Sequence, residues 1–152
     1  MSYIEFEDEP YYTGPNLTDA MVASAEESVG YRLPTSYIEL LRVQNGGVPT
    51  RRCFRTDFET SWAPTYFEIT GILGVGFRGI EKSPYLIKEW GYPNIGIVFC
   101  DTPSAGPDTV MLDYRSGSTE PAVAYVGEDR VPHVVAPSFI DFVQRLERLD
   151  PA

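Results

Sequence analysis

Apolar positions return every three or four residues from residue 17 to residue 47. They gather into short aromatic and β-branched runs between 51 and 135, and resume helical spacing from 138. In the first stretch Thr18 is placed to cap a helix, with Leu17 and Val22 at the spacing of a hydrophobic staple. Met21, Ala25 and Val29 then repeat every four residues, and Gly30 stops the run. A second helix lies in LPTSYIELLRVQNGG. Leu33-Pro34 opens it, and Ser36 and Glu39 stand at capping-box spacing. Tyr37, Leu40 and Leu41 fall with Gln44 at i, i+3, i+4 and i+7, and Asn45-Gly46-Gly47 supplies a left-handed stop.

Residues 51–58 and 66–73 read as an antiparallel pair of strands, with Ser61, Ala63 and Pro64 between them. Gly71, Gly74, Gly76 and Gly79 make a flexible connection. Ser83 as cap and Pro84 at the first helical position then open a short helix through Trp90, ended by Gly91. Residues 95–100, IGIVFC, predict a central strand buried on both faces. Residues 109–114 and 122–126 are further strands, with the turn Ser116-Gly117 and Pro121 between them. Residues 131–135 suit an edge, because Pro132 cannot donate to a ladder. A last helix starts at Ser138 and carries Phe139, Phe142, Val143, Leu146 and Leu149 on one stripe. Two helices, then strands, then a helix is an α+β order, read as an acidic N-terminal arm over 1–16 and one domain over 17–149.

A chain of 152 residues, 43% of them hydrophobic, is long enough for one core and too apolar for disorder. Its net charge of −10 is uneven: residues 1–30 carry seven acids and no Lys or Arg. Such a surface repels phosphate backbones and attracts a basic partner, so direct nucleic-acid binding is not expected. The first residues hold neither a basic stretch nor an apolar core, so they read as no secretory leader. No apolar run reaches the roughly 20 residues of a membrane span. Cys53 and Cys100, the only cysteines, are far apart in sequence and suit free thiols of a reducing cytoplasm, with one disulfide as the alternative.

Candidate chemistry changes this picture little. Gly74, Gly76 and Gly79 spell G-x-G-x-x-G with Asp101 beyond, the outline of a dinucleotide fingerprint. However, Pro84 starts the helix too late and too short for a crossover, so a glycine-rich bend is the preferred reading. His133 is the sole histidine and has no nucleophile beside it in sequence, and one His with two distant Cys makes no zinc set. Asp101, Asp108 and Asp113 fall around the loop TPSAGP. They suit turn chemistry or a recognition surface, with a hard-cation or acid–base site as the alternative. Arg51, Arg52 and Arg55 form the one basic cluster and are expected to pair with the chain's own acids, for instance Asp57 or Glu59. Trp90 is expected in the core and Trp62 at the surface. No catalytic, cofactor or metal residues are assigned.

The order of motifs resembles the SUKH superfamily, typified by the yeast Smi/Knr cell-wall regulator. The residues that carry it are Gly30-Tyr31-Arg32-Leu33-Pro34, Tyr37, Leu40-Leu41 and Asn45-Gly46-Gly47. Pro93 with IGIVFCD follows, then SAGPD, Leu112-Asp113-Tyr114-Arg115, Pro121-Ala122-Val123 and Ala136-Pro137-Ser138-Phe139. The resemblance implies a curved mixed or antiparallel sheet with helices packed around it, and no enzymatic activity. It implies a mostly bacterial immunity protein that blocks a nuclease or nucleic-acid deaminase toxin; the chain itself is expected to be cytoplasmic and a monomer or weak homodimer. A regulatory adaptor is the alternative, and a nucleotide- or metal-binding protein a third. In this reading Leu33, Pro34, Tyr37, Asn45, Gly46, Gly47, Asp113, Tyr114 and Phe139 mark the fold. Charge and expected exposure nominate Glu7, Asp8, Glu9, Asp57, Glu59, Trp62, Asp101 and Asp108 for the partner.

Overall fold

Continuous apolar runs build the centre. A computed structural model describes residues 4–104, 106–117 and 119–148. The elements are α1 (Asp19–Val29), α2 (Thr35–Val43), β1 (Cys53–Arg55), β2 (Tyr66–Glu68), β3 (Gly71–Ile72), α3 (Ser83–Trp90), β4 (Gly96–Asp101), β5 (Thr109–Asp113), β6 (Ala122–Val126), β7 (Pro132–Ala136) and α4 (Phe139–Gln144). A 3₁₀ turn, Ile80–Lys82, leads into α3. β3 to β7 form a five-stranded sheet in sequential order, and β1 pairs with β2 alone. Every pairing within the two sheets is antiparallel, so of the mixed and antiparallel alternatives the antiparallel one holds. Residues 66–73 are not one strand: Glu68 ends β2 and Gly71 begins β3, in different sheets.

The IGIVFC run does separate two apolar layers. Ile97 and Phe99 enter the main core with Tyr37, Phe139 and Phe142, while Val98 joins Tyr92, Met111 and Val126 in a smaller cluster with Leu86 and Ile87 of α3. Aromatic rings interlock across the main core. Phe142 stacks on Phe54 at 5.1 Å, and Tyr37 meets Phe139 edge-on at 5.2 Å. The Tyr37 hydroxyl donates to the Leu73 carbonyl, so this fully buried phenol has its partner.

Helix termini follow the sequence in part. Thr18 and Ser138 cap α1 and α4 by accepting from Met21 N and Asp141 N, and Gly30 and Gly91 close α1 and α3 in left-handed conformations. The capping box on α2 does not form. Its cap is Pro34, which offers no side-chain oxygen, and Ser36 is buried inside the first turn. Ser83 is likewise the first residue of α3, not its cap; its Oγ accepts from Val98 N at 2.8 Å and ties the helix to β4. The final helix ends at Gln144. Leu146 is still buried past that end, and Leu149 lies outside the described residues.

Asn45 plays a different part from the expected stop. Gly46, at φ 90°, takes the left-handed position, and α2 ends at an extended Gln44. The Asn45 side chain instead bridges three segments. Its Nδ2 donates to the carbonyls of Pro15 and Val75, and its Oδ1 accepts from Val75 N, each at 2.8 Å. A Cβ on Gly46 would come within 2.4 Å of the Tyr12 carbonyl, so only glycine lets these backbones approach. Residues 5–14 lie along this junction: Glu7 N donates to Val48 O, and Gly14 N to Asn45 O.

Candidate functional site

The docked N-terminal segment, the β2–β3 connection, β4 and α3 enclose a cleft of 1060 Å³. Strand alternation builds one wall. Phe67 and Ile69 turn into the core, so Glu68 and Thr70 face the cleft. Gly71 pairs with Asp101 across β3 and β4, which sets Asp101 beside Thr70. Tyr12 packs over Gly71, where a Cβ would sit 2.3 Å from its ring. The opposite wall is one face of α3 and the turn before it. Lys82, Leu86 and Trp90 recur every fourth residue and all line the cleft.

Five carboxylates line this space, those of Glu7, Glu9, Glu68, Asp101 and Asp108, against two cations, Arg52 and Lys82. Both cations form long ion pairs, and Arg52 is also held by the Pro49 carbonyl at 2.9 Å. Arg52 stands 3.7 Å from Glu7 and Lys82 3.8 Å from Asp101, while the other described ion pairs span 2.6–3.4 Å. Burial, with Asp101 next to it, pushes the Tyr12 hydroxyl well above its usual pKa. Burial also pushes Tyr92 up to about 12, although Arg130 over its ring pulls the other way. The Cys100 thiol is held far above its ordinary range by burial and then by Asp101, so it stays protonated. Cys53 and Cys100 are free and buried.

The nominated partner residues divide between places. Glu7, Glu9 and Asp101 reach the cleft, and Asp8 is exposed on the arm but does not line it. Asp57, Glu59 and Trp62 are exposed on the β1–β2 connection, outside the cleft, with Trp62 edge-on to Tyr66. The expected exposure of Asp108 is overturned: it is 3% exposed. Its carboxylate accepts from Thr102 Oγ1 at 2.7 Å, Tyr125 Oη at 2.6 Å and Ser104 Oγ, because a buried charge this close to the sheet must collect donors. The three aspartates do not converge. Asp113 is buried against Arg115, 2.6 Å away, and among the described residues no group of three or more potential ligands could hold a metal ion.

Other expectations are also corrected. Arg52 and Arg55 pair with Glu7 and Glu147, not with Asp57 or Glu59. Trp90 is 38% exposed rather than in the core: it lines the cleft one turn past Leu86, with its ring against Gly106. In the G-x-G-x-x-G bend the Gly76 N–H is taken by the Glu81 carboxylate, where a phosphate-binding loop would need it free. His133 stacks on Phe58 at 4.5 Å. Glu68, Lys82, Trp90 and Tyr12 were missed as site residues. Only Glu68 and Thr70, alternating with Phe67 and Ile69, carried a readable sign of it.

The family described as SMI1-KNR4 cell-wall (SUKH_6) matches residues 19–143, and the chain belongs to it. Membership fits immunity-type proteins or regulators of the Smi/Knr kind. No curated protein and no solved structure matches the chain. Among the described residues no helix is long and apolar enough to cross a membrane.

Proposed function

We propose that this chain is a cytoplasmic immunity-type protein that binds and neutralises a basic toxin domain, a nuclease or nucleic-acid deaminase of an intercellular competition system. The observation that carries the reading is the cleft in which the carboxylates of Glu7, Glu9, Glu68 and Asp101 face two cations, Arg52 and Lys82, on a family member of net charge −10. A toxin that acts on nucleic acid presents a positive cleft. An acidic inhibitor fills it, gains speed from long-range attraction and gains tightness from paired charges.

The test is a toxin encoded beside this chain, purified and assayed with and without it. Stoichiometric inhibition with an association rate that falls as salt rises supports the proposal. Full toxin activity at an excess of the chain refutes it. The family's cell-wall description favours a second reading, a regulatory adaptor for a cellular protein. Stable capture of a non-toxin partner at 1:1 stoichiometry, with no neighbouring toxin inhibited, would select it.

A further inference from the structure

The cleft is more specific than its charge. Asp101 lines it beside Thr70 and Tyr12, with Glu68 on the strand face that also presents Thr70. Leu86 and Trp90 follow Lys82 along α3, so an apolar wall of about 6 Å (four residues of helical rise) stands beside the carboxylates. Gly106 packs tightly against the Trp90 ring, where a Cβ would come within 2.2 Å, and fixes that aromatic surface. The cation that faces Asp101, Lys82, is only loosely paired, 3.8 Å from its carboxylate. The chain already sets guanidinium groups on aromatic faces: Arg78 lies 3.8 Å from the centroid of Tyr11, and Arg130 lies 5.0 Å from that of Tyr92.

We propose, resting on the immunity reading above, that the cleft seats an arginine side chain presented by a loop of the basic partner. Its guanidinium engages Glu68 and Asp101, and the flanking loop lies on the Leu86–Trp90 wall. Arginine suits the site better than lysine. Its planar fork can bind two carboxylate oxygens at once and stack on a ring, whereas an ammonium would meet Asp101 much as Lys82 already does. The incoming arginine displaces Lys82, whose half-exposed pair is weak. Lys82 therefore acts as a resident competitor.

The experiment titrates the ¹⁵N-labelled full chain with N-acetyl-arginine methylamide. The lysine and citrulline analogues serve as comparisons, up to about 20 mM. The expected result is saturable shifts at the Asp101 and Thr102 amides and the Trp90 indole, weaker with lysine and absent with citrulline. Asp101→Asn should weaken binding about threefold to tenfold and Lys82→Gln should tighten it by a similar factor, opposite signs that a general loss of folding would not give. Equal shifts with citrulline, shifts only outside the cleft, or no saturable shift would each overturn the proposal. If a neighbouring toxin is neutralised but binds D101N and K82Q like the wild type, this inference fails and the immunity reading stands. If the arginine analogue binds as expected but no neighbouring toxin is neutralised, the immunity reading fails and the cleft keeps its ligand.

Discussion

Replacing Asn45 by alanine tests whether its amide is a clamp between segments or only a helix stop. The side chain is 2% exposed and makes three hydrogen bonds of 2.8 Å to Pro15 and Val75. Each is worth about 1 kcal/mol net, and the Val75 N–H left behind in the core adds about 1 kcal/mol of uncompensated desolvation. The loss is about 4 kcal/mol, a large share of the roughly 5–15 kcal/mol by which domains are stable. At about 2–4 °C per kcal/mol for a chain of this size, the melting temperature should fall by about 10 °C. Urea unfolding should show a lower midpoint with an unchanged slope, because the surface exposed on unfolding is the same. Asn45→Asp is the sharper variant. It keeps an acceptor for Val75 N but aims a second oxygen at two carbonyls, so it should lose as much as alanine. If Asn45→Asp unfolds like the wild type, or Asn45→Ala loses less than about 1 kcal/mol, the clamp is wrong and the residue is a tolerant turn position.

Other outcomes follow from the same geometry. Gly46→Ala forces a left-handed residue against the Tyr12 carbonyl and should cost at least about 2 kcal/mol, read by thermal unfolding. For Asp113, burial alone would raise its pKa, but the bonds from Arg115 outweigh it and hold the carboxyl below the ordinary 3.8. Its contribution is then complete above that value and fades as pH falls through the depressed folded pKa. The stability gap between wild type and Asp113→Asn should therefore close in acid; an equal gap at about pH 6 and about pH 2 refutes the linkage. Cys53 and Cys100, both buried with raised pKa values, should react with a thiol reagent only on unfolding, with two thiols appearing together in urea. Reversing Glu7 and Glu9 to lysine should slow association with a basic toxin about tenfold or more, while reversing Asp57 and Glu59 should change it less; the opposite ranking would move the interface to the β1–β2 connection.

Local rules were legible where local chemistry decides. Thr18, Ser138, Gly30 and Gly91 punctuate helices as their side chains dictate, and the unbroken run at β4 announced a strand covered on both faces. The α+β order and the family followed from motifs spread along the chain. Tertiary demands overrode local ones elsewhere. Ser36 and Ser83 have the chemistry of caps, yet each lies buried where helix meets its neighbours, and Ser83 serves β4 instead. Asn45 reads as a stop because its long-range partners, thirty residues away on both sides, leave no periodic trace. The cleft was only half legible for the same reason. Charge density pointed to Glu7, Glu9 and Asp101, but the register that brings Gly71 opposite Asp101, and the helix face that adds Lys82 and Trp90, exist only once the sheet is folded.

The Asn45–Gly46 junction and the cleft are thereby coupled without sharing side chains. Asn45 and Gly46 reach no ligand position, yet they hold the segment that does: Asn45 grips Pro15, its carbonyl receives Gly14 N, and the Gly46 carbonyl receives the Thr13 hydroxyl. That grip sets Tyr12 over Gly71 and carries Glu7 and Glu9 to the rim of the cleft. A junction of backbone contacts is indifferent to which side chains the arm displays. In the proposed reading, acids on the arm would change to meet a different basic surface while the junction that aims them stays the same, separating a chain's membership in the family from its choice of partner.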